Sequence, residues 1–301
     1  MVQAFDHPSA SRDLDPFGLP GWSFRRGEAA PARASSWTWN DGCGTETGKA
    51  EDGPDRLVRT EGIASARVSF ETRSVLVHDV DPEAEDELVA QWVGDHVAPR
   101  ILSHLGHLVI HAGAVAPAPN SAVLFVAPSG HGKSTLTGYL HQTGWPLLGD
   151  DAVDLRHEDE TVLARALYTR LKLLPDAWAQ LYSQAGADSR PTGRKISVAV
   201  GNAASTPADL RLQGLFFLSD PCQAGKRRIA RLPPSEVCIE LLRSSFALDP
   251  ADRMKAGQRM RLASLVANAV PGYALTYPRT FDELPLVRAM IAETIGLEGP
   301  R

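Results

Sequence analysis

Val123-Leu124-Phe125-Val126-Ala127-Pro128-Ser129-Gly130-His131-Gly132-Lys133-Ser134-Thr135 carries an apolar, β-rich segment into a glycine-containing loop and then into a helical pattern. The order of residue types suits a bound polyphosphate, which is met by converging backbone N–H groups and by the positive end of a helix. Gly130 and Gly132 let the backbone approach closely, with Ser129 and His131 between and beside them. Lys133 supplies a mobile ammonium for the β- and γ-phosphates. The Ser134 hydroxyl is placed to hold Mg²⁺, and Thr135 follows it in the helix. The pattern departs from G-x-x-x-x-G-K-[ST] at its first position, where Ala127 stands in place of glycine. Upstream, Ser121 to Val126 reads as a buried strand. Downstream, Leu136, Tyr139 and Leu140 recur at helical spacing until Gly144.

Working outward, Pro146-Leu147-Leu148 reads as the next strand and ends at Gly149-Asp150-Asp151. In a parallel α/β sheet the strand ends gather at one edge, so these carboxylates are expected beside the loop. One can hold Mg²⁺ and the other can accept a proton from an attacking hydroxyl. His111 follows the strand Leu108-Val109-Ile110 and is either a structural hydrogen-bonder or a catalytic group. Basic residues cluster at Arg170/Lys172, Arg190/Arg194/Lys195 and Lys226/Arg227/Arg228. Arg194 and Lys195, after Pro191-Thr192-Gly193, have the chemistry to reach a triphosphate or an acidic substrate, because guanidinium groups match phosphate oxygens.

At 301 residues and 43% hydrophobic content, the chain can bury one large core or two modest ones. Its net charge of -5 argues against general polyanion binding, and nucleic acid is not an expected partner. Cys43, Cys222 and Cys238 fit neither a disulfide framework nor a zinc site, which implies free thiols. No apolar run approaches the roughly 18 residues of a membrane span, and residues 1–7 lack the features of a signal peptide. The expected setting is cytoplasmic, away from membranes.

Residues 1 to about 55 hold three of the six tryptophans, Trp22, Trp37 and Trp39, and read as a loose tail or a tryptophan-pinned sheet; the alternation in Trp37-Thr38-Trp39 favours the sheet. Val68/Phe70 and Val75/Val77 alternate about a turn at Glu71–Arg73, a hairpin pattern. A helix is expected from Asp81-Pro82, with an interruption at Pro99 and a second short helix to Gly106. Residues 1–106 therefore read as an accessory α+β region and residues 107–301 as the core. In the latter, Leu215 to Leu218 is a buried strand, and three helices begin near Ser235, Pro250 and Thr280, the last with a Thr280 to Glu283 capping-box pattern.

Taken together, His111-Ala112-Gly113-Ala114, the strand into Ala127–Thr135, Gly144 and Gly149-Asp150-Asp151 resemble the catalytic core of the HPr serine kinase/phosphorylase family, and more narrowly the HPr-kinase-related proteins found with peptide-modification pathways. The resemblance is clear over residues 107–155. It implies an α/β phosphate-loop kinase core shared with phosphoenolpyruvate carboxykinase, use of ATP and Mg²⁺, and phosphorylation of a serine hydroxyl on a peptide or small protein. It also implies assembly as a homo-oligomer, since related enzymes form rings. By the same resemblance Asp150 is the base and His111 is the family histidine; the residue chemistry above leaves Ser134 and Asp151 to hold the metal. A nucleotide-binding regulator without an acceptor and a small-molecule kinase carry the same motifs.

Overall fold

A computed structural model describes residues 3–4, 19–27, 34–40, 44–183, 189–192, 194–199, 209–223 and 226–297. Cys43 and Gly193 lie outside these. The chain divides into two compact units, Met1–His107 with Phe246–Arg259, and Leu108–Ser245 with Met260–Arg301. Phe246–Arg259, assigned above to the second region, thus belongs to the first unit.

The first unit is built on a seven-stranded sheet: β1 (Gln3–Ala4), β2 (Ser23–Arg26), β3 (Ala34–Asn40), β4 (Thr45–Ala50), β5 (Arg56–Thr60), β6 (Ala64–Ser69) and β7 (Ser74–His78), in the order β1-β2-β7-β6-β5-β4-β3. The hairpin read around Glu71–Arg73 is β6 and β7, paired from Ser65↔His78 to Ser69↔Ser74. Period-two alternation buries Val58, Ala66, Val68, Val75 and Val77. Trp37 sits on β3 with the Arg59 guanidinium 4.0 Å over its ring. Trp22 meets Phe70 edge-on at 5.3 Å.

Helix α1 (Asp86–Trp92) begins later than expected. Asp81 Oδ1 instead accepts the Glu83 N–H at 2.8 Å, and the Asp81 carbonyl accepts the Ala84 N–H. The aspartate therefore closes a turn where a helix start was expected. Pro99 does not interrupt the helix either. A π-helical turn, Val93–Val97, leads without a break into α2 (Ala98–Leu105), whose first turn contains Pro99. Proline there has no N–H to place, and the widened turn removes the clash with the preceding carbonyls. Gly106, at φ +109°, ends the helix as read.

The second unit is mixed α/β. Its main sheet comprises β8 (Leu108–Ile110), β9 (Ala112–Val115), β10 (Ser121–Val126), β11 (Leu147–Gly149), β12 (Val153–Glu158), β13 (Thr161–Ala166), β17 (Leu210–Leu218), β18 (Arg228–Arg231) and β19 (Gly272–Thr276). A small antiparallel sheet holds β14 (Arg170–Leu173), β16 (Lys195–Ala199) and β15 (Ser189–Thr192) in that order. The helices are α3 (Lys133–Gln142), α4 (Pro175–Leu181), α5 (Pro234–Arg243), α6 (Arg253–Ala269) and α7 (Leu284–Thr294), the last preceded by a 3-10 turn, Phe281–Glu283. Helix α6 begins in the first unit and ends in the second. Among the described residues no helix is long and apolar enough to cross a membrane.

The main sheet is mixed, where a parallel one was expected. Strand β10 runs parallel to β17, and β17 to β19, while β9 is antiparallel to both β10 and β11. Two successive antiparallel pairings turn β11 back into the direction of β10. The C-terminal ends of β10, β11, β17 and β19 therefore meet at one edge, with the N-terminal end of β9. Strand β10 is buried on both faces. Ala122, Leu124 and Val126 join a core under α5 and α6, and Val123 and Phe125 join another under α3 and α7. Full burial of a side chain such as Phe125, stacked on Phe216 at 5.7 Å, contributes roughly 1.5–3 kcal/mol.

The capping box read at Thr280 is absent. The Thr280 side chain makes no cap hydrogen bond, and Glu283 forms an ion pair with Arg227. A carboxylate with a guanidinium in reach gains a charge-assisted pairing that a backbone N–H does not match.

Candidate functional site

The edge where these strand ends meet carries the loop between β10 and α3. Gly130 (φ +83°) and Gly132 (φ +79°) both take left-handed backbone, and Gly132 is the N-cap of α3. A Cβ at Gly132 would come within 3.2 Å of Arg279 Cδ. Ala127 has no such demand. Its φ is not positive, and the residue is buried in the core beneath α3, so alanine is accommodated without strain.

Lys133, first in α3, is buried, and its Nζ donates to Asp150 Oδ1 at 3.1 Å and lies 3.5 Å from Asp151 Oδ1. Burial works against the Lys133 charge, but Asp150 and then Asp151 outweigh it and hold the ammonium above its ordinary range. For Asp150 burial prevails. It raises the carboxyl above the usual carboxylate range against the pull of Lys133, with the Asp151 charge adding to the rise and a Ser134 hydrogen bond opposing it. Asp150 Oδ2 is buried without a hydrogen-bond partner. Asp151 adopts φ +79°, a left-handed conformation that costs a residue other than glycine roughly 1–2 kcal/mol. Tyr168 is half-buried nearby, and desolvation of its hydroxyl, then the Asp151 and Asp150 charges, keep it protonated.

Close packing at β9 holds the carboxylates in place. A Cβ on Gly113 would lie 2.3 Å from Thr137 Oγ1 and 3.2 Å from Asp150 Oδ1, and Thr137 is itself tied to the Lys133 carbonyl at 2.9 Å. Overpacking at such a point costs about 1–3 kcal/mol. Gly113→Ala is expected to lower the chemical-denaturation midpoint accordingly, and the added substitution Thr137→Ala to restore part of the loss. An unchanged midpoint in the single variant would contradict the close approach. On the far side of α3, His141 Nδ1 accepts the Leu147 N–H at 3.2 Å, which ties the start of β11 to the helix.

A cavity of about 260 Å³ opens on the loop. It is lined by His111, Ser129, Gly130, Gly132, Lys133, Ser134 and Thr135, so most of the residues read as loop contacts come together here. His111 Nε2 lies 3.8 Å from Asp151 Oδ1, and its backbone N–H donates to the Ser244 carbonyl at 2.8 Å. The His131 side chain does not line the cavity. It lies beside Asp220 (3.4 Å) and the Ser129 carbonyl (3.3 Å).

Arg194 is exposed and outside the lining, and the cavity is faced by Lys195. A shift of one residue at the start of a strand exchanges the face a side chain occupies. Four further contributors have no site role in the sequence reading, where Lys172 appears only in the basic pair with Arg170. Lys172, on β14, is buried with its Nζ 3.5 Å from Asp151 Oδ2. Burial, and after it the Lys195 charge, pushes Lys172 down to about 7; the approach of Asp151 favours its charged form against that push. Arg279, just after β19, donates to the carbonyls of His131 (3.0 Å), Ser219 (2.7 Å) and Tyr277 (3.0 Å), tying the loop to the ends of β17 and β19. Phe281 and Leu284 form an apolar wall.

The oxygen donors Ser134, which lines the cavity, and Asp151 are hard ligands of the type Mg²⁺ prefers. Among the described residues no group of three or more His, Cys, Asp or Glu side chains is placed to hold a metal. Mg²⁺ commonly takes only one or two carboxylates, with substrate phosphates and water completing its shell.

No family model matches the chain, and no curated protein matches it. Among solved structures it aligns with the Hpr(Ser) kinase/phosphatase from Coxiella burnetii at 14% identity, over 64% of this chain and 99% of that one, with a TM-score of 0.33.

Proposed function

We propose that this chain is an ATP-dependent phosphotransferase that moves the γ-phosphoryl group to a serine hydroxyl of a peptide or small protein. The observation that carries the reading is the buried contact of Lys133 Nζ with Asp150 Oδ1 at 3.1 Å, below a loop whose two left-handed glycines open α3 toward the cavity. A polyphosphate placed there meets the N-terminus of α3 and the Lys133 ammonium, with Arg279 holding the loop in shape. Ser129, Gly130, His131, Gly132 and Thr135 contribute the loop and first-turn backbone.

Ser134 and Asp151 would hold Mg²⁺, which when bound neutralises charge on the β- and γ-oxygens. Asp150 accepts the proton of the acceptor hydroxyl as the serine O–P bond forms and the bond from the γ-phosphorus to the β-bridging oxygen breaks, releasing ADP. A carboxyl raised by burial suits this task, since a base whose pKa approaches the working pH transfers protons most effectively. His111, within reach of Asp151, orients that carboxylate.

The test is incubation of the full chain with Mg-ATP and serine-containing peptides or small proteins encoded beside its gene, followed by mass spectrometry. The gain of one phosphate group on an acceptor is expected. ADP release with every acceptor unchanged in mass would replace this reading by a nucleotide-hydrolysing regulator.

A further inference from the structure

Asp151 faces lysines from two separate elements. Lys133 reaches Asp150 and Asp151 from α3 and Lys172 reaches Asp151 from β14, each lysine with its Nζ 3.5 Å from a different oxygen of Asp151. Lys133, Lys172, Asp150 and Asp151 are all less than a tenth exposed. Two lysines therefore stand against two carboxylates in a water-poor cluster. Lys195 adds a positive charge close to Lys172 on the cavity side.

We infer that Lys172 stands in for a divalent cation at Asp151 while the site is free of nucleotide, so that metal enters only together with a polyphosphate. This rests on the function proposed above. A divalent ion arriving alone would add two positive charges beside Lys133, Lys172 and Lys195, where the low local dielectric magnifies repulsion between like charges. A polyphosphate arriving with its ion brings a net negative charge. Its oxygens offer Lys172 a new partner, and the long flexible stem of lysine lets the ammonium turn from Asp151 toward it. The carboxylate is then free for the ion. Lys172 is thus a positioning residue that sets the order of binding.

The test uses Mn²⁺ as the probe, with its loss from solution followed by electron paramagnetic resonance on the full chain. Adding a non-hydrolysable ATP analogue is expected to raise the Mn²⁺ affinity of the wild type at least about tenfold. Without nucleotide, Lys172→Met is expected to bind Mn²⁺ at least about tenfold more tightly than wild type, whereas Lys172→Arg, which keeps the cation, excludes it as wild type does. Equal Mn²⁺ affinity of the wild type with and without the analogue, while the analogue itself still binds, overturns the inference and leaves the phosphotransferase reading standing. Failure of the analogue to bind at all overturns both. Lys172→Met that binds Mn²⁺ no more tightly than wild type in the absence of nucleotide also overturns the inference, and Lys172→Gln supplies the same comparison where Lys172→Met does not fold.

Discussion

Asp150→Asn is expected to lower phosphoryl transfer by about 10²–10⁴-fold, the usual contribution of a positioned general base, while the chain still binds Mg-ATP. The variant keeps the shape of the side chain and an oxygen for Lys133, whose Nζ lies 3.1 Å from Oδ1. It removes the capacity of the buried Oδ2 to take a proton. Single-turnover transfer measured beside equilibrium nucleotide binding separates the two effects. Turnover within a factor of about three of wild type would take the base role away from Asp150. A parallel loss of nucleotide affinity would assign the residue to binding.

Lys133→Met is expected to fail at both steps. A hydrogen bond to a charged group is worth about 1.5–3 kcal/mol, so Mg-ATP affinity should fall roughly 10- to 150-fold, and transfer should fall further because the same ammonium meets charge developing during reaction. The substitution also leaves Asp150 buried without its cation. Removing one member of a buried pair costs about 3–5 kcal/mol unless the remaining carboxyl protonates, which the burial of Asp150 favours. Calorimetric titration with Mg-ATP checks the affinity, and thermal unfolding of the same sample checks that the protein is folded. Unaltered affinity would remove Lys133 from the phosphate site.

The local parts of this site were readable in the sequence because each rests on short-range chemistry. Gly130, Gly132 and Lys133 sit at set spacings between an apolar strand and a helical repeat, and the left-handed glycines at the start of α3 follow that pattern. Asp150 and Asp151 were legible as a strand end, although the expected reason was only partly right. Their edge is reached through two antiparallel pairings, a topology that alternation along single strands does not encode. Lys172, Arg279 and Phe281 were not legible as site residues. Each comes from a distant segment, and what recruits it is the pairing of a separate small sheet or the exit of β19. Arg194 and Lys195 differ by one position, a distinction that depends on where a strand begins. Glu283 had the spacing of a capping box but found Arg227, a tertiary partner invisible to local pattern.

The pairing of β10 has a consequence in time. Ser121 lies against Arg211 on β17, and β17 in turn lies against β19. The strand that launches the loop thus has on one side a neighbour still unmade when the loop leaves the ribosome, and Arg279, which fastens the loop, emerges later still. Long-range pairings of this kind form slowly and late. The growing chain therefore carries its glycine-and-lysine segment without the neighbours that fix its shape, and the loop is held as described only once β19 and Arg279 have docked.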